Sequence, residues 1–344
     1  MASDDVGHLN APFRVFVSSP LPAAAAARLA ASSAIVTIAA DDLALRDPRF
    51  DAAADAFEAL VILLTHPVDA AIVARASALR IVSTVSVGVD HIDLPACAAR
   101  GIVVTNTPGV LTEATADLAF GLLLAAARRI AEGDRIVRAG DFSGWRPSFM
   151  VGARVHGATL GLVGLGCIGG AVARRARGFG MKVLYTQRTQ LAPEMERALG
   201  ARYATLDALF AESDYVSLHC PLSPETRHLV NRARLGSMKP GSVLVNAARG
   251  ACVDEEALAE ALANGPLGAA ALDVFEHEPG VHPALLARDN VVLTPHIGSA
   301  ERETREAMAA MAVENVIAVM EGREAPNRVV PESRATSGMR VGER

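Results

Sequence analysis

The segment from Thr159 to Arg188, TLGLVGLGCIGGAVARRARGFGMKVLYTQR, constrains the fold of this chain more than any other. Leu160, Leu162 and Val163 read as a strand, Gly164, Gly166 and Gly169 spell G-x-G-x-x-G, Ala171 to Arg177 reads as a helix, and Lys182 to Thr186 as a second strand. Gly164 allows a tight turn, Gly166 lets backbone approach a pyrophosphate, and Gly169 lets the helix pack close on the sheet. The helix N-terminus then offers N–H groups and a partial positive charge to phosphates. The arrangement predicts a dinucleotide site, with Cys167 and Ile168 of the loop among its cofactor-binding residues.

At 344 residues, 51% hydrophobic and 21% charged, the chain is globular and long enough for two domains of ordinary size. Its net charge of −5 and pI near 6.0, with basic residues scattered, give no electrostatic footprint for nucleic acid. The N-terminus MASDDVGHLN carries Asp4 and Asp5 and no apolar run, so it reads as neither a signal nor a transit peptide. The longest apolar run, Leu118 to Ala127, is too short to span a bilayer. A cytoplasmic protein with neither nucleic acid nor membrane as partner is expected. Cys97, Cys167, Cys220 and Cys252 lie far apart without C-x-x-C and read as reduced thiols. The histidines show no H-x-x-x-H or H-E-x-x-H spacing, so no metal site is indicated.

Short Val- and Ile-rich runs at Arg14 to Ser18, Ala34 to Ile38, Leu60 to Leu64 and Ile81 to Thr84 alternate with alanine-rich helical segments. That spacing argues for a parallel sheet covered on both faces. After Ile102 to Thr105, Pro108-Gly109 breaks the chain before one long helix from about Thr112, its plausible N-cap, to Ala139. A loop-like stretch, Gly140 to Gly152, holds the only tryptophan, Trp145. Beyond the glycine segment, strands at Tyr215 to His219, Ser242 to Asn246, Ala269 to Leu272 and Val291 to Thr294 alternate with helices, one capped at Asp254. A helix from about Ala300 to Met320 closes the fold, and the polar tail from Pro331 reads as disordered.

A doubly wound sheet places ligands outside the carboxyl ends of its strands. Arg249 in VNAARG, Glu278 in DVFEHEP and His296 in TPHIGS all follow strands there. Taken singly, each has a bland alternative as an ion-pair arginine, a loop charge or a structural histidine. Together they form a set with chemistry. Arginine can hold a carboxylate through two parallel hydrogen bonds. A histidine beside a carboxylate has its charged form stabilised and can donate a proton near neutral pH. With a nicotinamide supplying hydride, that is equipment for reducing a 2-keto acid.

The runs VSVGVDHIDL, GLVGLGCIGG, CPLSPETRHLVN, VNAARGACVDEEAL, ALDVFEHEP and TPHIGSA resemble those of the D-isomer-specific 2-hydroxyacid dehydrogenases. Within that family the chain is most similar to glyoxylate/hydroxypyruvate reductases. The resemblance runs from about Phe13 to Val330 and implies an α/β fold of two doubly wound parallel-sheet domains. A Rossmann nucleotide-binding domain, 111–298, would be inserted in a flavodoxin-like substrate domain, 1–110 with 299–330, and substrate would bind in the cleft between them. It also implies a homodimer whose arm spans about 112–152, with Trp145 reaching the neighbouring subunit's substrate site.

Residue by residue, the resemblance makes Arg249 the substrate anchor, His296 the general acid/base and Glu278 the group that orients it. Val87 and Gly88 would hold the substrate carboxylate through backbone N–H groups, with Ser299 also at the substrate. Asp273 would hydrogen-bond the nicotinamide carboxamide and Thr115 would touch the cofactor phosphate. Cys220, Pro221 and Leu222 would line the adenine side, and Thr226, Ala247 and Gly298, with His296 itself, complete the implied cofactor contacts. The chain departs from NAD-using members where those carry Asp or Glu for the ribose hydroxyls. Here stands Gln187, 18 residues after Gly169 (187 − 169), followed by Arg188 and Thr189. A neutral residue removes repulsion toward a 2′-phosphate and Arg188 can bind it, so NADPH/NADP is the expected cofactor, with NADH/NAD possible. The alternatives are 2-ketogluconate, phosphoglycerate or phosphite as substrate within the same chemistry, or a nucleotide-sensing protein like the corepressors built on this fold. A lysine stands in phosphite dehydrogenases where this chain has Val87, which weakens that substrate.

Overall fold

A computed structural model describes residues 12–39 and 48–330; the readings of the N-terminal ten residues and of the tail from Pro331 lie outside the described residues. The chain divides into two compact units, one made of the described residues up to Val110 with those from Arg302 onward, the other of Leu111–Glu301.

In the first unit, β1 (Arg14–Val17), α1 (Ala23–Ala30), β2 (Ile35–Ile38), α2 (Pro48–Ala53), β3 (Ala59–Ile62), α3 (Ala70–Arg75), β4 (Ile81–Thr84), α4 (Leu94–Ala99) and β5 (Val103–Thr105) alternate along the chain. The strands are all parallel in the order β2-β1-β3-β4-β5, the flavodoxin-like arrangement. β3 and β4 are buried along their whole length, which is why they read as unbroken apolar runs rather than alternating ones. The closing helix α13 (Arg302–Met320) lays Val313, Val316 and Ile317 against Val15, Val61 and Ile81 on one face. Buried Ser83 donates to the Ala312 carbonyl at 2.9 Å, satisfying a hydroxyl that the sheet would otherwise strand.

The second unit begins with α5 (Thr112–Ala127) and α6 (Ile130–Ala139). It continues through β6 (Thr159–Val163), α7 (Cys167–Gly178), β7 (Lys182–Thr186), α8 (Pro193–Leu199), β8 (Ala201–Tyr203), α9 (Leu206–Glu212) and β9 (Tyr215–Leu218). Then follow α10 (Arg232–Ser237), β10 (Ser242–Asn246), α11 (Glu255–Asn264), β11 (Leu267–Leu272), α12 (Pro283–Leu286) and β12 (Val291–Leu293). The parallel order β12-β11-β10-β9-β6-β7-β8 contains the Rossmann order, with its switch point between β6 and β9. α11 is capped as its sequence predicts, Asp254 accepting from the Ala257 N–H at 3.0 Å.

Two expectations change. The single helix from Thr112 to Ala139 is broken at Arg129, which adopts a left-handed backbone, φ 55°. The cause is the returning chain: the Ala153 N–H takes the Ala127 carbonyl at 2.7 Å, and Gly152 lies so close that a Cβ would meet that oxygen at 2.4 Å. α5 is buried on most sides whereas α6 buries no residue, so the break separates a core helix from a surface one. Thr112 is not the N-cap either. It is the first helical residue, after Leu111, and its side chain starts one position too late to accept from the first turn. Among the described residues no helix is long and apolar enough to cross a membrane.

Candidate active site

The glycine turn sits at the switch point, and its glycines differ in what they are for. Gly164 has φ 94°, and a Cβ there would lie 2.8 Å from the His219 carbonyl oxygen. A Cβ on Gly169 would lie 2.2 Å from the Gly164 carbonyl oxygen, so α7 packs on the turn only because that side chain is missing. Both are demanded by the protein's own packing. Gly166 is not: a Cβ there meets nothing within 4 Å, and the residue is exposed at the start of α7. A glycine kept where the fold leaves room for a side chain, over the N-terminus of a 12-residue helix, fits a pyrophosphate laid against the backbone. Cys167 is exposed beside it and Ile168 half-buried.

On one flank of the turn, Gln187 is already committed. Its Oε1 accepts from the Leu165 N–H at 3.1 Å and its Nε2 donates to the Thr189 carbonyl at 2.7 Å, tying the glycine turn to the loop after β7. Tyr185 extends that bracing, its hydroxyl accepting from the Leu191 N–H at 2.8 Å and donating to Glu196 at 2.7 Å. Arg188 and Thr189 are exposed on this braced loop. The other flank is the loop after β9. Burial holds His219 down at about 4, so its ring is neutral, and it pairs with Ser217 at 2.9 Å. The hydrogen bond with the Cys252 thiol, and then burial, push the Cys220 thiol far up. Pro221 is exposed, and its carbonyl accepts from Thr226 Oγ1 at 2.7 Å, which shapes the loop from within. All four cysteines are free.

The loops after β10, β11 and β12 bring Arg249, Asp273, Glu278 and His296 into one neighbourhood. His296 Nδ1 lies 2.9 Å from Glu278 Oε2. Because an ionised carboxylate only accepts, Nδ1 carries the hydrogen, and Nε2 is the atom left to exchange a proton with a ligand. Burial pushes the Glu278 carboxyl up, but the hydrogen bond and charge of His296, the Phe275 N–H and the Arg249 guanidinium outweigh it and hold the group below its ordinary value.

His296 occupies a left-handed backbone, φ 54°, a conformation that costs a non-glycine residue on the order of 1 kcal/mol. Asp273 is what imposes it. Its carboxylate, 1% exposed, accepts from Thr294 Oγ1 at 2.6 Å, from the Ile297 N–H at 2.8 Å and from the Gly298 N–H at 2.8 Å, while its carbonyl accepts from the His296 N–H at 2.8 Å. Burial pushes its pKa up against the opposing pull of these donors and of the His296 charge. The turn that aims the histidine is thus wrapped around one buried carboxylate.

Sequence reasoning did not single out Asn246 or Thr294. Asn246 is fully buried at the end of an otherwise apolar strand; its Nδ2 donates to the Arg249 carbonyl at 2.9 Å and its Oδ1 accepts from the Ala248 N–H at 3.0 Å. It thereby folds Ala247 and Ala248 into the turn that presents Arg249. A lone polar residue closing an apolar strand was the available signal. Thr115 is buried with its side chain beside Gly298, its Cγ2 3.4 Å from where a Cβ would stand, and Ser299 follows half-buried.

In the first unit, Val87 and Gly88 form a turn at the carboxyl end of β4. The Val87 carbonyl accepts from Asn106 Nδ2 at 2.8 Å and the Gly88 carbonyl from Ser86 Oγ at 2.7 Å, so both peptides are fixed in orientation. Trp145 is 81% exposed. Among the described residues no group of three or more His, Cys, Asp or Glu is placed to hold a metal ion.

Comparison with known proteins agrees with this geometry. Residues 120–298 match the D-isomer specific 2-hydroxyacid dehydrogenase NAD binding domain. The glyoxylate reductase of Thermococcus litoralis is 50% identical over 276 residues, 79% of this chain and 83% of that protein. The NADPH-dependent glyoxylate/hydroxypyruvate reductase of Sinorhizobium meliloti, solved with NADP and malonate, is similar with a TM-score of 0.82 at 35% identity, covering 93% of this chain and 97% of that one. The D-lactate dehydrogenase of Aquifex aeolicus, solved with NAD and lactic acid, gives a TM-score of 0.83 at 30% identity, covering 93% of this chain and all (100%) of that one. This chain belongs to the D-isomer specific 2-hydroxyacid dehydrogenases, NAD(P)-dependent oxidoreductases acting on CH–OH groups.

Proposed function

We propose that this enzyme reduces glyoxylate and hydroxypyruvate to their 2-hydroxy acids with NADPH as the preferred cofactor. The observation that carries the reading is the His296–Glu278 pair, 2.9 Å apart, held beside Arg249 at the carboxyl edge of a dinucleotide-binding sheet. When bound, the reduced nicotinamide supplies the hydride. The guanidinium of Arg249 would grip the substrate carboxylate through parallel hydrogen bonds and orient the adjacent carbonyl. His296 Nε2 would give its proton to the carbonyl oxygen as the alkoxide forms, while Glu278 stabilises the charged ring before transfer and keeps it aligned. The relatives' substrates support the choice among 2-keto acids.

NADPH preference rests on the loop after β7. Gln187 carries no charge to repel a 2′-phosphate, and its amide is spent on holding the loop that carries Arg188 and Thr189. The reading also includes a homodimer. Ile130, Val137, Phe142, Trp145 and Val151 are exposed along one continuous arm, an apolar display that a second copy of the chain would cover.

The assignment of the acid is checked by His296→Ala: kcat for glyoxylate reduction should fall on the order of 10² to 10⁴-fold while NADPH still binds. Near-normal turnover at neutral pH would remove His296 from the chemistry. For the cofactor, Arg188→Ala should raise the KM for NADPH by about 10 to 100-fold, the worth of a charge-assisted hydrogen bond, and leave NADH unaffected. Equal kcat/KM for NADH and NADPH in the unmodified enzyme would sink the preference. For the dimer, sedimentation should give twice the chain mass, and Trp145→Ala should shift substrate KM without dissociating it; a monomer with normal kinetics contradicts the arm's role.

A further inference from the structure

A second histidine–carboxylate pair lies behind the first. Glu278 uses its Oε2 on His296, but its Oε1 accepts from the Phe275 N–H at 3.1 Å. The next residue, Glu276, reaches away from the site: its Oε1 lies 2.5 Å from His228 Nε2. Its N–H donates to the carboxylate of Glu255, buried in the first turn of α11, at 2.9 Å. The segment has no freedom on its other side, since a Cβ on Gly250 would stand 1.8 Å from the Phe275 carbonyl carbon. The turn bearing Arg249 therefore runs directly against it.

His228 comes from the loop after β9, the loop that flanks the glycine turn. Its backbone is left-handed, φ 48°, an uncommon conformation for a non-glycine residue that the surroundings must hold in place. They do: its N–H donates to the Ala251 carbonyl at 2.8 Å, and the Val230 N–H to the Cys252 carbonyl at 2.9 Å, so the strained turn is sewn to the segment after Arg249. A strained residue whose ring bridges to another loop has a constraint beyond packing.

We propose that His228 is a positioning residue for the reaction: through Glu276 it fixes the Phe275–Glu278 turn, and so the orientation in which Glu278 holds His296. The continuous path is His228 Nε2 to Glu276, along the backbone of Phe275 to its N–H, to Glu278 and to His296 Nδ1. It links the loop flanking the cofactor's glycine turn to the proton donor. The inference rests on His296 being that donor, as proposed above.

The test uses the full-length enzyme and the variants His228→Ala, His228→Gln, Glu276→Gln and His228→Ala/Glu276→Gln. With glyoxylate and NADPH, His228→Ala should lose on the order of 10-fold in kcat, the scale of losing support to a site group. The KM for NADPH should stay within about twofold, the double variant should be no worse than either single one, and His228→Gln, which keeps a donor, should recover most of the loss. Independently of any substrate, the His296 Nδ1 proton resonance, assigned by its absence in His296→Ala, should exchange with water at least about tenfold faster in His228→Ala. A His228→Ala enzyme with wild-type kcat and an unchanged Nδ1 resonance, altered only in Tm, overturns the proposal. Failure of the wild-type enzyme to turn over either keto acid overturns the substrate reading instead, and the resonance then decides the positioning role alone.

Discussion

The arrangement depends on one buried carboxylate. Asp273 directly follows β11, its oxygens taken by one hydroxyl and two N–H groups of the segment Thr294 to Gly298. A carboxylate placed this deep is tolerable only when its lone pairs are filled, and these donors come from the turn that carries His296. Satisfying the charge and aiming the ring are the same event. That is why a histidine can be held in a left-handed backbone on a loop and still be set within hydrogen-bond reach of Glu278.

The same device recurs after β10, β7 and β9. Asn246 closes the turn after β10 and so places Arg249; Gln187 closes the turn after β7 against the glycine loop; Thr226 shapes the loop after β9. Each is a side chain that satisfies backbone groups which a strand has just released. The sheet itself is apolar and rigid, so the chemistry rides on short polar loops whose conformations are locked from below. Site groups held this way lose little freedom when a ligand arrives.

Much of this was legible in the sequence because it is local. The glycine turn is read from Gly164, Gly166 and Gly169 alone, and the cap of α11 from Asp254; the structure adds that Gly166 is the one of these three glycines that the fold does not itself require. Parallel strands buried on both faces announce themselves as Val-rich runs such as Ser242 to Asn246. What stayed hidden depends on residues far apart in the chain. The break at Arg129 is caused by Gly152 and Ala153 returning to the end of α5, and nothing in a continuous alanine-rich run foretells it. Asp273 was read as a cofactor contact, and its clamp on the histidine turn depends on residues 21 to 25 positions later. Glu276 and His228, 48 residues apart, meet only because β9, β10 and β11 are neighbours in register.

Family membership follows from this frame and from the relatives, whereas the proposed reduction depends on how the histidine turn holds its ring. The most direct measurement is therefore kcat for NADPH-dependent glyoxylate reduction by Asp273→Asn, with NADPH affinity measured alongside. The amide cannot accept every donor: one of its ends must present N–H groups to the Gly298 N–H or to the Ile297 and Thr294 donors, so the turn should loosen without loss of the fold. The expected result is a kcat lowered on the order of 10 to 100-fold, the usual cost of removing a group that orients a catalytic one, in a protein that still binds NADPH. A kcat within about twofold of the unmodified enzyme would show that His296 is aimed by something other than the buried carboxylate.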